Sequence, residues 1–249
     1  MQVVEKNMNL IADIGNTSAK IAVMDGNRVL CRHTAGRLTA ELLEDVLTDY
    51  PLIDKAVVAS TGGDGARAYA LISERVKRTL LFDSSVPVPL GNAYDTPSTL
   101  GPDRLAAAVG ASVLYGRRNM LIVDFGTAVT FDMVADGIFL GGNISLGLRG
   151  RLRALHEYTA SLPECEPTDE SLLLGTSTRS AVEQGAMRGI EYETEGYIRH
   201  FSEKYDDLCI IFTGGDAKYF VKRIKNTIFA NCDLVFAGLN AILEYNTNV

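Results

Sequence analysis

The chain contains DIGNTSAKIAVMDG at residues 13–26 and then, matching it without a gap, DFGTAVTFDMVADG at residues 124–137. Each stretch begins where a short apolar run ends, and each places an Asp-x-Gly turn before a second apolar run. The identical positions carry the turns and strand ends: Asp13/Asp124, Gly15/Gly126, Val23/Val134, Asp25/Asp136 and Gly26/Gly137. We therefore predict two lobes that begin with the same β-hairpin.

The rest of the pattern predicts an α/β fold. Three short strands open the first half as a meander, and helices and strands then alternate, which is typical of a layered α/β domain. The second half opens with the same hairpin, and no low-complexity run or long linker separates the halves. We place the lobes at residues 1–117 and 118–249. The predicted strands are 10–13, 19–24, 28–34, 56–59, 79–82, 120–123 and 208–212, and the longer predicted helices are 66–77, 103–115, 148–158 and 180–205.

Composition excludes several classes of function. The 249 residues include 24 Lys and Arg against 31 Asp and Glu, a net charge of −7. This acidic balance argues against nucleic-acid and anionic-membrane partners, which require a basic surface. Four scattered cysteines without a Cys-x-x-Cys pair favour a reducing compartment. The first residues lack the pattern of a signal peptide, and no apolar run is long enough to span a membrane, so we expect a cytoplasmic protein.

The paired Asp-x-Gly turns point to phosphate chemistry. Transfer of a phosphoryl group requires backbone donors around the phosphates, a cation, an aligned hydroxyl and a base. Glycine lets the backbone approach phosphate oxygens closely. One such turn alone is more often a simple hairpin corner, but two copies after buried strands favour a phosphate site. The same turns supply donors and hard oxygen ligands: Asn16, Thr17, Lys20 and Thr127 as donors, Asp13 and Asp124 as ligands for Mg²⁺ or another cation.

Two further segments have both a structural and a functional interpretation. Thr213–Asp216 follows a predicted strand and either binds an adenosine or simply connects the strand to a helix. Gly101–Arg104 lies at a predicted helix start. Asp103 there is either the N-cap of the helix or a general base, with Arg104 holding an anionic substrate. The residues alone favour the cap.

A dinucleotide-binding alternative rests on Gly63–Ala68, which follows a strand, opens a helix and precedes Asp83. The meander at the start of the chain and Ala68 in place of a final glycine argue against it. Gly-x-Ser-x-Gly and the P-loop motif are absent from the sequence, and the three histidines are scattered.

Taken together, the motifs resemble those of the type III pantothenate kinases, from about residue 10 to residue 245. The resemblance covers Asp13–Lys20, the Gly-x-Asp-Arg pattern at Gly101–Arg104, the Asp-x-Gly-Thr-Ala pattern at Asp124–Ala128, Gly141–Ile144 and Gly175–Thr178. One position departs from the family: Leu146 stands where a proline is usual, which would soften that loop.

This resemblance implies an actin-like fold of two duplicated lobes and a reaction in which ATP phosphorylates pantothenate, the first step towards coenzyme A. It implies that Asp103 is the general base, that Asp124 binds a monovalent cation (K⁺ or NH₄⁺) and that Mg²⁺ accompanies ATP. It also implies a homodimer. The implied ATP-binding residues are Asp13, Ile14, Gly15, Asn16, Thr17, Ser18, Ala19, Lys20 and Thr127, and the implied pantothenate-binding residues are Tyr94, Gly101, Pro102, Asp103, Arg104 and Thr178.

An ATP-binding regulator of the same fold without kinase activity remains the alternative, since a fold does not determine a function. The sequence also leaves open whether Met1 or Met8 begins the native chain.

Overall fold

The computed structural model describes residues 8–62, 64–225 and 229–247, so Met1 and Gly63 lie outside the described residues. The chain forms two compact units. The first contains the residues up to Gly116 together with the segment from Asp233 onward, and the second contains Arg117–Cys232. The lobes proposed at 1–117 and 118–249 stay a prediction. The last helix, Leu234–Thr247, is part of the first unit.

The first unit contains a five-stranded mixed sheet. Its strand order is β3-β2-β1-β4-β5, with β1, β2 and β3 antiparallel and β4 and β5 parallel to β1. One face packs on α1 and α2, where Leu10, Ala12 and Ile14 alternate into the core. The elements of this unit are β1 Met8–Ile14, β2 Ala19–Asp25, β3 Arg28–Ala35, α1 Ala40–Asp49, β4 Ile53–Ser60, α2 Gly65–Ser73, β5 Arg78–Phe82, β6 Gly91–Asn92, a 3₁₀ turn Pro97–Thr99, α3 Pro102–Tyr115 and α7 Leu234–Thr247.

The second unit repeats this architecture. Its strands follow the order β11-β10-β7-β8-β9, with β7, β8 and β9 antiparallel and β10 and β11 parallel to β7. In its core Phe125 stacks on Phe220, with ring centroids 4.7 Å apart, and meets Phe212 edge to face at 4.9 Å. The elements are β7 Met120–Phe125, β8 Ala128–Ala135, β9 Ile138–Leu146, α4 Leu148–Glu157, α5 Thr178–Lys204, β10 Cys209–Thr213, α6 Ala217–Phe220 and β11 Phe229–Ala230.

The two sheets therefore have equivalent strand orders, and the predicted α/β fold with duplicated meander starts is confirmed. The gapless alignment of the two hairpins is wrong in its second half. Asp13 pairs with Lys20, whereas Asp124 pairs with Thr130, so the second hairpin is one residue shorter. The next turns differ too. Positive φ occurs at Gly26 in the first unit, but at both Asp136 and Gly137 in the second, the pattern of a type I′ turn.

Helices α3 and α7 cross at a contact made by small residues. A Cβ atom added at Gly238 of α7 would overlap the carbonyl oxygen of Ala106 in α3, and one added at Gly110 would overlap that of Leu234. A polar cluster fixes α7 on the sheet: buried Asn9 donates to Asn240 at 2.7 Å and to Glu244 at 2.6 Å. Because α3 begins at Pro102, this crossing determines where Asp103 lies.

We expect Gly238→Ala to destabilise the protein by about 1–3 kcal/mol, because the added methyl group forces the two helix backbones apart. Urea unfolding monitored by circular dichroism measures the change. Gly196→Ala in α5 is the matched control, since a Cβ there meets no atom within 4 Å. Equal stability of Gly238→Ala and the wild type would contradict the close crossing.

No helix in the described ranges is both long and apolar enough to cross a membrane. All four cysteines are free thiols.

Candidate active site

The β1–β2 hairpin presents the loop Gly15–Ser18 at the carboxyl end of β1. The N–H of Gly15 donates to the carbonyl of Ser18 at 2.9 Å, which closes the loop. The residues directly after the neighbouring strand β4 contact this loop. The N–H of Thr61 donates to the carbonyl of Ile14 at 3.0 Å, and a Cβ at Gly62 would lie 2.9 Å from the carbonyl oxygen of Gly15. The loop is thus held in shape by backbone contacts.

The tip of this hairpin is available to a ligand. Asn16 and Thr17 in the loop are exposed, and so is Lys20, the second residue of β2. Ala19 packs into the core beside Ile14. The predicted ATP-binding segment therefore divides into two buried residues that anchor the strands and exposed donors that face outward.

The carboxyl group of Asp13 is largely buried and lies within electrostatic range of two other predicted site residues, Lys20 and Asp103. Burial raises the pKa of its carboxyl from 3.8 to about 6, opposed by the charge of Lys20 and reinforced by that of Asp103. Lys20 is its direct partner across the hairpin. The fold thereby brings Asp103, which is distant in sequence, within electrostatic range of the Asp13 carboxylate, which already has the Lys20 ammonium beside it on the hairpin.

The start of α3 differs from the cap interpretation of Asp103. The N-cap is Gly101, and Pro102 occupies the first helical position, which suits its fixed φ and missing N–H. Asp103 lies within the first turn, and its Oδ1 accepts the backbone N–H of Arg104 at 2.9 Å. Within the described ranges, Oδ2 of Asp103 accepts no hydrogen bond from a protein group.

Arg104 is buried rather than placed at an exposed helix start, with 7% of its surface accessible. Its guanidinium carbon lies 5.7 Å from the centroid of the Tyr94 ring, a cation–π arrangement. Tyr94 is positioned by its backbone N–H, which donates to Asn92 Oδ1 at 3.0 Å. Tyr94 and Arg104, both predicted to bind substrate, thus contact each other, and Arg104 directly follows Asp103.

In the second unit, Asp124 lies near the end of β7, paired with Thr213 of β10. A Cβ at Gly214 would overlap Asp124 Oδ1, so only glycine leaves room for this carboxylate. The N–H of Asp216 donates to the carbonyl of Phe125 at 2.9 Å, and burial raises the pKa of the Asp216 carboxyl. The ends of β7 and β10 therefore lie side by side, and each provides a carboxylate: Asp124 near the end of β7, and Asp216 in the turn after β10.

Thr127 lies exposed in the β7–β8 turn. Its carbonyl accepts the N–H of Gly147 at 3.1 Å, and a Cβ at Gly147 would lie 2.5 Å from that same oxygen. Leu146, the position that departs from the family, is the last residue of β9 and is paired with Ala128. Leu146 O also accepts from Arg151 Nε at 2.7 Å.

Thr178 lies on a different element from Asp124 and Thr127. It is the exposed first residue of α5, whose N-cap Ser177 forms a capping box with Ser180. Thr178 lines an apolar groove between α4 and α5, together with Leu146, Leu155 and Val182.

The chain matches a family model, "Type III pantothenate kinase", over residues 9–200. It is 40% identical over 242 residues to a type III pantothenate kinase of Christiangramia forsetii, a match that covers 96% of this chain and 99% of the relative. The corresponding protein of Phocaeicola vulgatus is 39% identical over 240 residues, with 96% and 99% covered. The chain belongs to the type III pantothenate kinase family.

Solved structures agree with the fold of this family. A protein named as a Baf family transcriptional activator from Campylobacter jejuni superposes with a TM-score of 0.63 at 20% identity, covering 96% of this chain and all of that one. ROK hexokinase from Thermus thermophilus superposes with a TM-score of 0.53 at 13% identity, covering 94% and 98%. At such identities these likenesses concern the fold alone.

Sequence reasoning missed a second repeat of this kinase-family chain. Thr-Gly-Gly-Asp occurs at residues 61–64, directly after β4, and again at 213–216, where it begins with the last residue of the equivalent strand β10. Both copies brace the glycine turn of the neighbouring hairpin, through Thr61 to Ile14 and through Asp216 to Phe125. The signal was present, because four identical residues follow strands of the same rank in each half.

No group of three or more His, Cys, Asp or Glu side chains in the described ranges is arranged to hold a metal ion by itself.

Proposed function

We propose that this protein transfers the γ-phosphoryl group of ATP to the hydroxyl of pantothenate, giving 4′-phosphopantothenate, the first step towards coenzyme A. The observation that carries the proposal is the cluster at the start of α3. There Asp103, with one carboxylate oxygen fixed and the other open, lies beside a buried arginine and within electrostatic reach of Asp13. The match of this chain, over nearly its full length, to a type III pantothenate kinase supports pantothenate as the substrate.

Asp103 is the proton acceptor in this proposal. The N–H of Arg104 holds Oδ1, so Oδ2 faces the hydroxyl and takes its proton as the bond to phosphorus forms. The guanidinium of Arg104 pairs with the carboxylate of pantothenate, since a buried cation is a strong partner for an anion. Tyr94, Gly101, Pro102 and Thr178 complete the proposed substrate site.

The hairpin segment Asp13–Lys20 and Thr127 bind ATP in this proposal. Exposed Asn16 and Thr17 donate hydrogen bonds to phosphate oxygens, while Lys20 contributes a positive charge. The backbone bond between Gly15 and Ser18 fixes the loop before ATP arrives, so little ordering is required on binding.

The donors at Asp124 fit a hard cation. The strand end offers carboxylate, hydroxyl and carbonyl oxygens, which Mg²⁺ and K⁺ prefer, and Gly214, which has no Cβ, leaves room for the carboxylate. The described residues supply too few ligating side chains for a protein-only metal cage, so phosphate oxygens and water would complete the ligand set. Asp124 would hold the monovalent cation. A bound cation supplies positive charge that offsets the negative charge of the phosphates.

We expect Asp124→Ala to abolish the stimulation of the kinase by K⁺, because the substitution removes the only carboxylate assigned to that cation. Initial rates measured against K⁺ concentration, at constant ionic strength with Na⁺, give the result. Asp45→Asn, an exposed site on α1, is the control. An unchanged K⁺ titration in Asp124→Ala would place the cation elsewhere.

We also propose that the protein is a homodimer located in the cytoplasm. The groove between α4 and α5 has a volume of about 780 Å³, and Tyr158 on its rim is 86% exposed. An apolar surface of this kind favours association. Size-exclusion chromatography with light scattering tests the dimer.

A coupled ADP-release assay with ATP, Mg²⁺ and K⁺, with and without pantothenate, tests the function. Release that depends on pantothenate supports the kinase. ATP binding without such release favours the regulator, and the dinucleotide alternative would require NAD binding at millimolar concentration.

A further inference from the structure

A cavity of about 190 Å³ lies in the first unit beside the β1–β2 hairpin. Gly15 and Asn16 of the hairpin loop, Arg37 after β3, and Asp64 and Arg67 at the start of α2 contribute to its lining. Sites for drug-sized ligands have volumes of roughly 300–1,000 Å³. The cavity is therefore too small for a nucleoside and suits a compact ion.

The cavity carries uncompensated positive charge. Neither Arg37 nor Arg67 forms a hydrogen bond or ion pair with another residue in the described part of the chain. Two other arginines of the same unit are paired: Arg75 with Glu44 at 2.5 Å and Arg78 with Asp54 at 3.2 Å. Asp64 is the single carboxylate of the lining, against two guanidinium groups.

Arg67 lies where the dipole of helix α2 disfavours a cation. It is the third residue of α2, Gly65–Ser73, in the first turn, where the helix dipole is positive. Departures from local preference of this kind concentrate at functional sites. An anion bound in the cavity would be attracted both to the Arg67 guanidinium and to the positive end of the helix dipole.

This cavity lies on the other side of the hairpin from the Asp13 and Asp103 pair. Ile14 and Ala19 line it and belong to the core packed under α1 and α2. Asp13 precedes Ile14 in β1, and successive side chains of a strand point to opposite faces. The cavity and the acid pair therefore share only the hairpin loop.

We propose that this cavity binds a phosphate group through Arg37 and Arg67. The group is either free inorganic phosphate or a phosphate of a bound nucleotide other than the transferred one, since both present tetrahedral oxygens to paired guanidinium groups. Only the nucleotide source rests on the proposed kinase function.

Isothermal titration of inorganic phosphate into the full chain, without nucleotide and at constant ionic strength, tests the proposal. We expect Arg37→Gln and Arg67→Gln each to weaken phosphate binding about tenfold or more, as loss of a charged hydrogen bond does. Arg28→Gln removes the same charge from an exposed position on β3 outside the cavity and should bind phosphate like the wild type. Asp64→Asn should tighten binding.

A second titration with a non-hydrolysable ATP analogue separates the two sources. Phosphate that still binds when the analogue is saturating identifies the free anion. Displacement of phosphate, or weaker analogue binding in both cavity variants but not in Arg28→Gln, identifies the nucleotide. Wild-type affinity of both cavity variants for phosphate and analogue, or equal weakening by Arg28→Gln, would overturn the proposal. A chain that binds phosphate here but fails the ADP-release assay would contradict the kinase and leave this site standing.

Discussion

Asp103→Asn is expected to lower the turnover number for pantothenate phosphorylation by about two to four orders of magnitude, the range usual for loss of a general base. The amide oxygen of asparagine can still accept the N–H of Arg104, as Oδ1 does at 2.9 Å. Helix α3 and the cation–π contact of Arg104 with Tyr94 are therefore retained. What is lost is the ability to take the hydroxyl proton.

Steady-state kinetics with ATP and pantothenate measure this effect, and the KM for ATP should change little. Asp45→Asn, on the exposed surface of α1, is the matched control and should retain wild-type turnover. A thermal melt confirms that both variants fold. Full activity in Asp103→Asn would remove Asp103 from the role of base.

Asp13→Asn is expected to stabilise the folded protein by about 3 kcal/mol at pH 7 and to weaken ATP binding. The folded-state pKa of about 6 lies above the ordinary value of 3.8, mainly because burial disfavours the charge. The folded state therefore holds the proton more tightly, and the resulting stability is present below pH 3.8 and is lost as pH rises through about 6. Two pKa units correspond to about 3 kcal/mol.

Urea unfolding of the wild type and Asp13→Asn between pH 4 and pH 8 checks this sign. The advantage of the variant should be largest above pH 6 and should shrink towards pH 4. Asp45→Asn should show no such dependence. A variant less stable than the wild type at pH 7 would mean that the pair of Asp13 with Lys20 outweighs the cost of burial.

Part of the site could be predicted because it is local. The Asp-x-Gly turns, the glycines and the apolar runs before them determine a hairpin within a few residues, so β1–β2 and β7–β8 were both predicted and confirmed. The alignment failed by one residue in the second strand, because composition does not distinguish loops of neighbouring lengths. Pairing across the strands decides that register.

Other features depend on contacts between distant segments. The close approach of Gly62 to Gly15 joins loops that follow different strands, β4 and β1, and the burial of Arg104 depends on what packs over α3. Asp103 was assigned to the cap position because an Asp at a helix start usually serves there. Its place at the second helical position, two residues after the N-cap, follows because Gly101 is the N-cap and Pro102 takes the first helical position.

The sequence by itself determined the α/β class, the two hairpins, the order of the motifs and the kinase resemblance, because each depends on local spacing and residue type. Only the tertiary structure decided that Asp13 and Asp103 share one electrostatic environment, that α7 crosses α3 at Gly238 and that Arg37 and Arg67 line one cavity. Burial and long-range packing fix these features. Neither is a property of any short stretch of chain.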